Sequence, residues 1–291
     1  MAEPRFPDKR AVRRSFERAA PGYDRHAVLQ REVGERLALH LDPIRIDPRT
    51  VIDIGCGTGE AFAALARRFP AARVIGVDIA LAMLDRARAR TPAWKRLIGA
   101  RGAALVGADA ERLPLAPACA QLAHSNLTLQ WCRPEAVFAE VARVLEPGGL
   151  FMFSTFGPDT LKELREAFAA VDGHDHVNTF VDMHDLGDAL VHAGFADPVM
   201  EMEVLTLEYA DVAGVARDLK AIGAGNALPG RPRGLSGRGR WQRMAEAYER
   251  RRRGEVLPAT YEVIYGHAWK VAPRRLADGR QVIDFKPRPG A

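Results

Sequence analysis

A chain of 291 residues with 47% hydrophobic and 27% charged residues is long enough for one large α/β domain with insertions, or two small domains sharing an interface, and its composition is that of a soluble globular protein. No apolar run approaches the roughly eighteen residues of a membrane span, and no apolar stretch follows the first basic residues, so neither a span nor a secretory signal is expected and a cytoplasmic location is. The formal charge of +5 is concentrated: from Arg217 to Arg253 there are eleven Lys and Arg residues against Asp218, Glu246 and Glu249, a local net of +8 suited to an acidic partner.

In chain order, apolar positions Val12, Phe16, Ala20, Leu29, Val33, Leu37 and Leu41 predict a helical cap over 1–45. Residues 46–155 alternate short β-rich apolar runs with amphipathic stretches, as in a parallel sheet of βαβ units. Strands are expected at 51–54, 74–77, 104–106, 122–125 and 150–154. Helices are expected at 60–69, 81–90 and 134–145, the last stopped by Pro147-Gly148-Gly149. Beyond an insertion at 156–180, the core continues through 181–210 with a helix at 185–193 and a strand at 199–209. A basic helical insertion fills 211–258, a last core strand runs within 259–270, and a tail at 271–291 holds a possible edge strand at 281–285. The expected fold is α/β and Rossmann-like: a seven-stranded, mostly parallel sheet whose insertions follow strand ends and form a lid where such sheets bind ligands. Cys56, Cys119 and Cys132 lack CxxC pairing and a nearby His array, so a disulfide framework or zinc site is not expected; no metal is.

The strongest motif is Val51-Ile52-Asp53-Ile54-Gly55-Cys56-Gly57-Thr58-Gly59-Glu60, a buried strand entering a glycine loop. Glycines there permit positive φ and close approach of a ligand, and the helix that follows offers free N–H groups. A dinucleotide fingerprint needs glycine where Glu60 stands, so this GxGxG loop preceded by Asp53 points elsewhere. Asp78 ends the second strand, where a carboxylate can accept from ribose hydroxyls. Asp109, followed by Ala110 after the third strand, can accept from an adenine amino group. Either carboxylate alone is more often an ordinary helix N-cap than a ligand group; what argues for a site is their register after successive strands. The segments resemble the class I S-adenosylmethionine-dependent methyltransferases over residues 50–155. That resemblance implies S-adenosylmethionine as cofactor, held by Asp53, Gly55, Gly57, Gly59, Asp78, Ile79, Met83, Asp109, Ala110, Asn126 and Leu127. Gln121 departs from the Asp many members carry at the start of the fourth strand.

The flanks carry Phe16-Glu17-Arg18-Ala19-Ala20 with Tyr23, Leu29-Gln30-Arg31-Glu32-Val33, Ser125-Asn126-Leu127-Thr128-Leu129-Gln130-Trp131-Cys132 and His176-Val177-Asn178-Thr179-Phe180. Later come Asp218-Leu219-Lys220, Gly230-Arg231-Pro232-Arg233-Gly234-Leu235 and Leu257-Pro258-Ala259-Thr260-Tyr261, with Tyr265-Gly266-His267-Ala268-Trp269. Together, from Lys9 to Lys270, they resemble the malonyl-acyl-carrier-protein O-methyltransferases of biotin synthesis. The resemblance implies methylation of the free carboxylate of a malonyl thioester on acyl carrier protein; with no Asn-Pro-Pro-Tyr-like or paired-cysteine motif of base methylation, a nucleic-acid partner is not expected, and neither is a membrane. Tyr23 is then the catalytic candidate, walling the transfer point with Trp131. Lys220, Arg231 and Arg233 are candidates to anchor the carboxylate or the carrier's arm, and His176, Asn178, Tyr261 and His267 to line the substrate side. Two alternatives stay open: methylation of a small free carboxylic acid, and a methyltransferase-like respiratory-complex assembly factor.

Overall fold

In the computed structural model, residues 6–90, 102–229 and 237–271 are described. Seven strands form one sheet: β1 (Thr50–Ile54), β2 (Arg73–Asp78), β3 (Ala104–Gly107), β4 (Ala120–Ser125), β5 (Leu145–Phe156), β6 (Phe195–Tyr209) and β7 (Leu257–Lys270), in the order β3-β2-β1-β4-β5-β7-β6. β1 to β5 pair in parallel and β7 runs antiparallel between β5 and β6. The inner strands read as unbroken apolar runs because both sheet faces are covered.

The two-residue period of a strand divides those runs between two cores. Ile52, Ile54, Phe151 and Phe153 face one side, packing with Val137, Phe138 and Val141 of helix Pro134–Val144 and Leu186 and Leu190 of helix Met183–His192. Val51, Leu122, Leu150 and Met152 face the other, against Leu29, Val33 and Leu37 of helix Val28–Leu39 and Leu65 of helix Phe62–Arg68. We label the helices α1 (Lys9–Ala19), α2 (Tyr23–His26), α3 (Val28–Leu39), α4 (Phe62–Arg68), α5 (Leu81–Arg90), α6 (Pro134–Val144), α7 (Lys162–Ala169), α8 (Met183–His192), α9 (Val212–Ala221) and α10 (Arg238–Glu249).

Strands β4, β5, β6 and β7 each start earlier than the sequence reading places them, and two helix boundaries differ from it for local reasons. Helix α4 starts two residues late because the glycine turn runs through Glu60 and Ala61. Helix α6 ends at Val144, before Pro147-Gly148-Gly149: Leu145 is already extended, with ψ 142, and opens β5. The Pro-Gly-Gly triplet lies inside β5, where pairing with β4 passes from Leu145 to Leu150 across an irregularity.

Both insertions leave the carboxyl ends of strands. The first forms α7, whose buried Glu163 accepts from the Thr260 amide at 3.1 Å and from the Thr260 hydroxyl. The second forms α9 and α10, which share a small core of Ala167, Val212, Val215, Met244, Tyr248 and Leu257 with α7 and β7. Part of the basic segment is neutralised locally: Arg240 pairs with Asp172, Arg251 with Glu166, Arg252 with Glu249 and Arg217 with Asp211. The possible edge strand at 281–285 lies outside the described residues. Among the described residues no helix is long and apolar enough to cross a membrane.

Candidate active site

The strand order reverses between β1 and β4, and the crevice at their carboxyl ends opens into a cavity of about 780 Å³. The glycine loop forms one wall. Gly55 and Cys56 donate to the carbonyl of Val77 at 2.7 and 3.0 Å, fastening the loop to the end of β2. Gly55 has φ 72, and a Cβ there would strike the Thr128 side chain; Gly57 has φ 52, and a Cβ there would meet nothing within 4 Å. Gly57 therefore leaves its open side to the cavity. Gly59 does not border the cavity: a Cβ on it would meet Phe62, so it is a packing position.

Asp78 reaches the cavity edge with two backbone partners, accepting from Gly57 N at 2.9 Å and Ala80 N at 2.8 Å. Burial pushes its carboxyl up to about 6; the amides oppose this and nearby Asp53 adds to it. Asp53 itself is buried and bonded to His124 at 2.8 Å. It lines an adjoining recess of about 70 Å³ rather than the main cavity. Ile79, Met83 and Ala110 complete this end of the wall.

At the far side, Asp109 meets a cation absent from the sequence-based site. Lys9 of α1 places its ammonium 2.9 Å from Asp109, 2.9 Å from Glu111 and 3.2 Å from Cys132 Sγ. Burial opposes charge on Lys9, but the thiol and the two carboxylates outweigh it and raise its pKa. The same burial pushes the Cys132 thiol up to about 11 against the pull of Lys9. Asp109, Glu111 and Cys132 are spaced closely enough to hold a metal ion, yet the ammonium of Lys9 already bonds all three.

Asn126 and Leu127 close the wall from the end of β4. Asn126 donates to the Gln30 carbonyl at 2.8 Å and accepts from Ser154 Oγ at 2.7 Å. Leu127 takes a left-handed conformation, φ 47, held by its amide on Ser154. Helix α3 comes this close because Gly34 has no side chain; a Cβ there would stand 2.9 Å from Asn126 Nδ2.

On the substrate side, Phe16 packs edge-on against Trp131 at 5.4 Å and against Tyr23 at 6.4 Å. Burial, then Asp78, Asp24 and Glu60, raise the pKa of Tyr23, so its hydroxyl stays protonated. His176 is stacked on Phe168 at 3.8 Å with Nε2 bonded to Asp172 at 2.9 Å. Asn178 accepts from Ala227 N at 3.4 Å, and the buried Tyr261 hydroxyl is engaged with Tyr209. Lys220 lines the exposed edge of the cavity together with Arg18, Arg217 and Trp241. Arg231 and Arg233 lie outside the described residues.

His267 is a correction. It is half-buried in β7 opposite Met152 and Val199 and does not line the cavity. Because β7 is antiparallel, its cavity end is at Tyr261, and six residues of strand carry His267 roughly 20 Å away. Conversely, Lys9, Phe16, Gln30 and Trp241 line the cavity without having been singled out for it. Gln121 has a structural role, accepting from the Arg49 and Thr50 amides at 2.9 Å each.

A family model described as a methyltransferase domain matches residues 52–153. The YcgJ protein of Bacillus subtilis shares the fold with a TM-score of 0.58 at 17% identity, covering 82% of this chain and 99% of that one. A malonyl-[acyl-carrier protein] O-methyltransferase of Laribacter hongkongensis is 55% identical over 99% of both chains. One of Gallionella capsiferriformans is 54% identical over 95% of this chain and 96% of its own. With identity at that level along nearly its whole length, the chain belongs to the malonyl-[acyl-carrier protein] O-methyltransferases, a family of S-adenosylmethionine-dependent methyltransferases.

Proposed function

We propose that the chain methylates the free carboxylate of a malonyl thioester carried by acyl carrier protein, using S-adenosylmethionine, as an early step of biotin (pimeloyl) synthesis. The observation that carries this reading is one continuous cavity that joins Asp78 and Asp109 to an exposed cationic edge at Arg18, Arg217 and Lys220. Such a cavity admits an acyl group on a long arm while its carrier stays outside.

The residues fit the cofactor. A carboxylate offers about four acceptor sites, and the two backbone donors on Asp78 leave capacity for ribose hydroxyls. Asp109 uses Oδ1 for Lys9 and Glu111 N, leaving Oδ2 for an adenine amino group. Gly57 leaves space beside the loop. When bound, S-adenosylmethionine supplies an electrophilic methyl group on a positively charged sulfur.

The substrate carboxylate, with a reference pKa of about 4, is anionic at neutral pH and needs no general base. One of its oxygens forms the new C–O bond as the S–C bond breaks, and no proton moves. The chain's task is therefore orientation in a site with little water. Phe16, Trp131 and Tyr23 form an aromatic wall, and the protonated Tyr23 hydroxyl can donate to the carboxylate oxygen that does not attack. Among the described residues, the Lys and Arg side chains lining the cavity are Lys9, which Asp109 and Glu111 neutralise, and the exposed Arg18, Arg217 and Lys220. Among the described residues, then, no unneutralised cation sits deep in the cavity to quench the nucleophile, while Lys220 and its neighbours suit the carrier's phosphate-bearing arm.

The test is single-turnover transfer from methyl-labelled S-adenosylmethionine to malonyl-acyl carrier protein, with malonate and malonyl-coenzyme A alongside. Label on the carrier that mild base removes as a methyl ester is the expected result. Preferential labelling of malonate would make this a small-acid enzyme. No label on any acceptor, with cofactor binding intact, would overturn carboxyl methylation and favour an assembly role.

A further inference from the structure

One polar atom in the cavity wall lacks a partner. Gln30 Oε1 is buried and accepts no hydrogen bond among the described residues. A carbonyl oxygen removed from water destabilises the protein unless a donor reaches it. The helix that carries it has no freedom to turn away, since the Gln30 backbone carbonyl receives Asn126 Nδ2 at 2.8 Å and Gly34, one turn on, lies against the same side chain. Gln30 borders both the main cavity and the 70 Å³ recess beside the glycine loop.

The charge around that recess selects the missing donor. Asp24, Asp53 and Glu60 line it, against Arg31. Behind them Arg90 pairs with Asp24 at 3.1 Å and with Glu60, and His124 is bonded to Asp53. Three carboxylates at a recess large enough for only a few heavy atoms favour a small cation and disfavour an anion. Asp109 and Asp78 have already been matched to the adenine amino group and the ribose hydroxyls. Of the cofactor's remaining polar groups, the α-carboxylate has nothing to donate and would face those three acids. The α-ammonium has N–H groups and the right charge.

We propose that Gln30 is a cofactor-binding residue whose Oε1 accepts a hydrogen bond from the α-ammonium of S-adenosylmethionine. The inference rests on the cofactor assignment and extends it to the amino-acid end of the ligand, which the glycine loop, Asp78 and Asp109 leave unspecified. Had the amide been turned to present Nε2 to a carboxylate, a glutamate at this position would repel the ligand; an acceptor for ammonium tolerates the same change.

The experiment is calorimetric titration of the full-length chain with two probes, S-adenosylhomocysteine and its analogue lacking the α-amino group. Gln30→Leu should weaken S-adenosylhomocysteine by about 10- to 100-fold while leaving the des-amino analogue within about twofold of wild type. Gln30→Glu should bind S-adenosylhomocysteine at least as tightly as wild type. Without ligand, Gln30→Leu should melt no lower than wild type, because an apolar group replaces an unsatisfied oxygen. The proposal is overturned if Gln30→Leu weakens both probes alike or neither, or if Gln30→Glu selectively loses S-adenosylhomocysteine. A wild-type chain that bound neither probe would overturn the cofactor assignment and this inference with it.

Discussion

Asp78 sits where a single proton decides whether the ribose site works. Its folded pKa of about 6 lies above the ordinary 3.8, so in the unfolded chain the group gives up its proton first. Its contribution to stability is full below about pH 4, falls as pH rises, and is gone above about pH 6. Cofactor binding has the opposite sign, because only the carboxylate accepts from both ribose hydroxyls. Calorimetry with S-adenosylhomocysteine should show affinity dropping up to about tenfold per unit as pH falls below about 6, and a plateau above it. Asp78→Asn should bind at least about tenfold more weakly at pH 7.5 and lose most of the pH dependence. Equal slopes for the two proteins would remove Asp78 from the ligand. Residues with such local duties were legible in the sequence because strand, glycine loop and terminal carboxylate are neighbours along the chain. Lys9 and Gln30 were not, since a helix's polar side chain reads the same whether it faces solvent or a site built from residues about a hundred positions away.

At the level of elements, polar contacts from all three of its helices fasten the N-terminal cap to the cofactor end. Lys9 of α1 binds the Asp109–Glu111 pair. Asp24 of α2 accepts from the buried Thr58 hydroxyl at 2.6 Å and pairs with Arg90. Lys9→Met would leave Asp109 without its cation beside a buried thiol, and Glu111 with Arg133 as its remaining cation. Denaturant unfolding of the ligand-free chain should show a loss of about 1–3 kcal/mol, with Lys9→Arg losing less. Hydrogen exchange should quicken in α1 ahead of the sheet; unchanged stability and exchange would mean that Lys9 is an exposed ion pair of no consequence. The strands and the helix at 81–90 were predictable from apolar period and caps. The true end of α6 was not, because a Pro-Gly-Gly triplet can stop a helix or interrupt a strand with equal ease, and only pairing of β5 with β4 selects the second.

For the molecule as a whole, the basic insertion tests how far charge alone identifies a partner. Ion pairs within the fold neutralise several of its arginines, while Arg18 and Lys220 at the cavity edge have no carboxylate partner among the described residues. Raising salt from 50 to 300 mM should increase the Michaelis constant for malonyl-acyl carrier protein several-fold and leave that for a short uncharged-tail malonyl thioester nearly unchanged. A parallel rise for both would place the salt effect inside the cavity and not at a docking surface. The cofactor class and the seven-strand core were determined by the sequence itself, because their signals are short-range: buried β-branched runs, glycines at a turn and carboxylates at strand ends. Which side chains share one cavity was decided only by tertiary structure. The antiparallel course of β7 brings Tyr261 to the site and carries His267 away, and the cap helices deliver Lys9, Phe16, Tyr23 and Gln30 to it. Helical and strand periods specify a buried face; what that face meets depends on the direction and position of elements far apart in the chain.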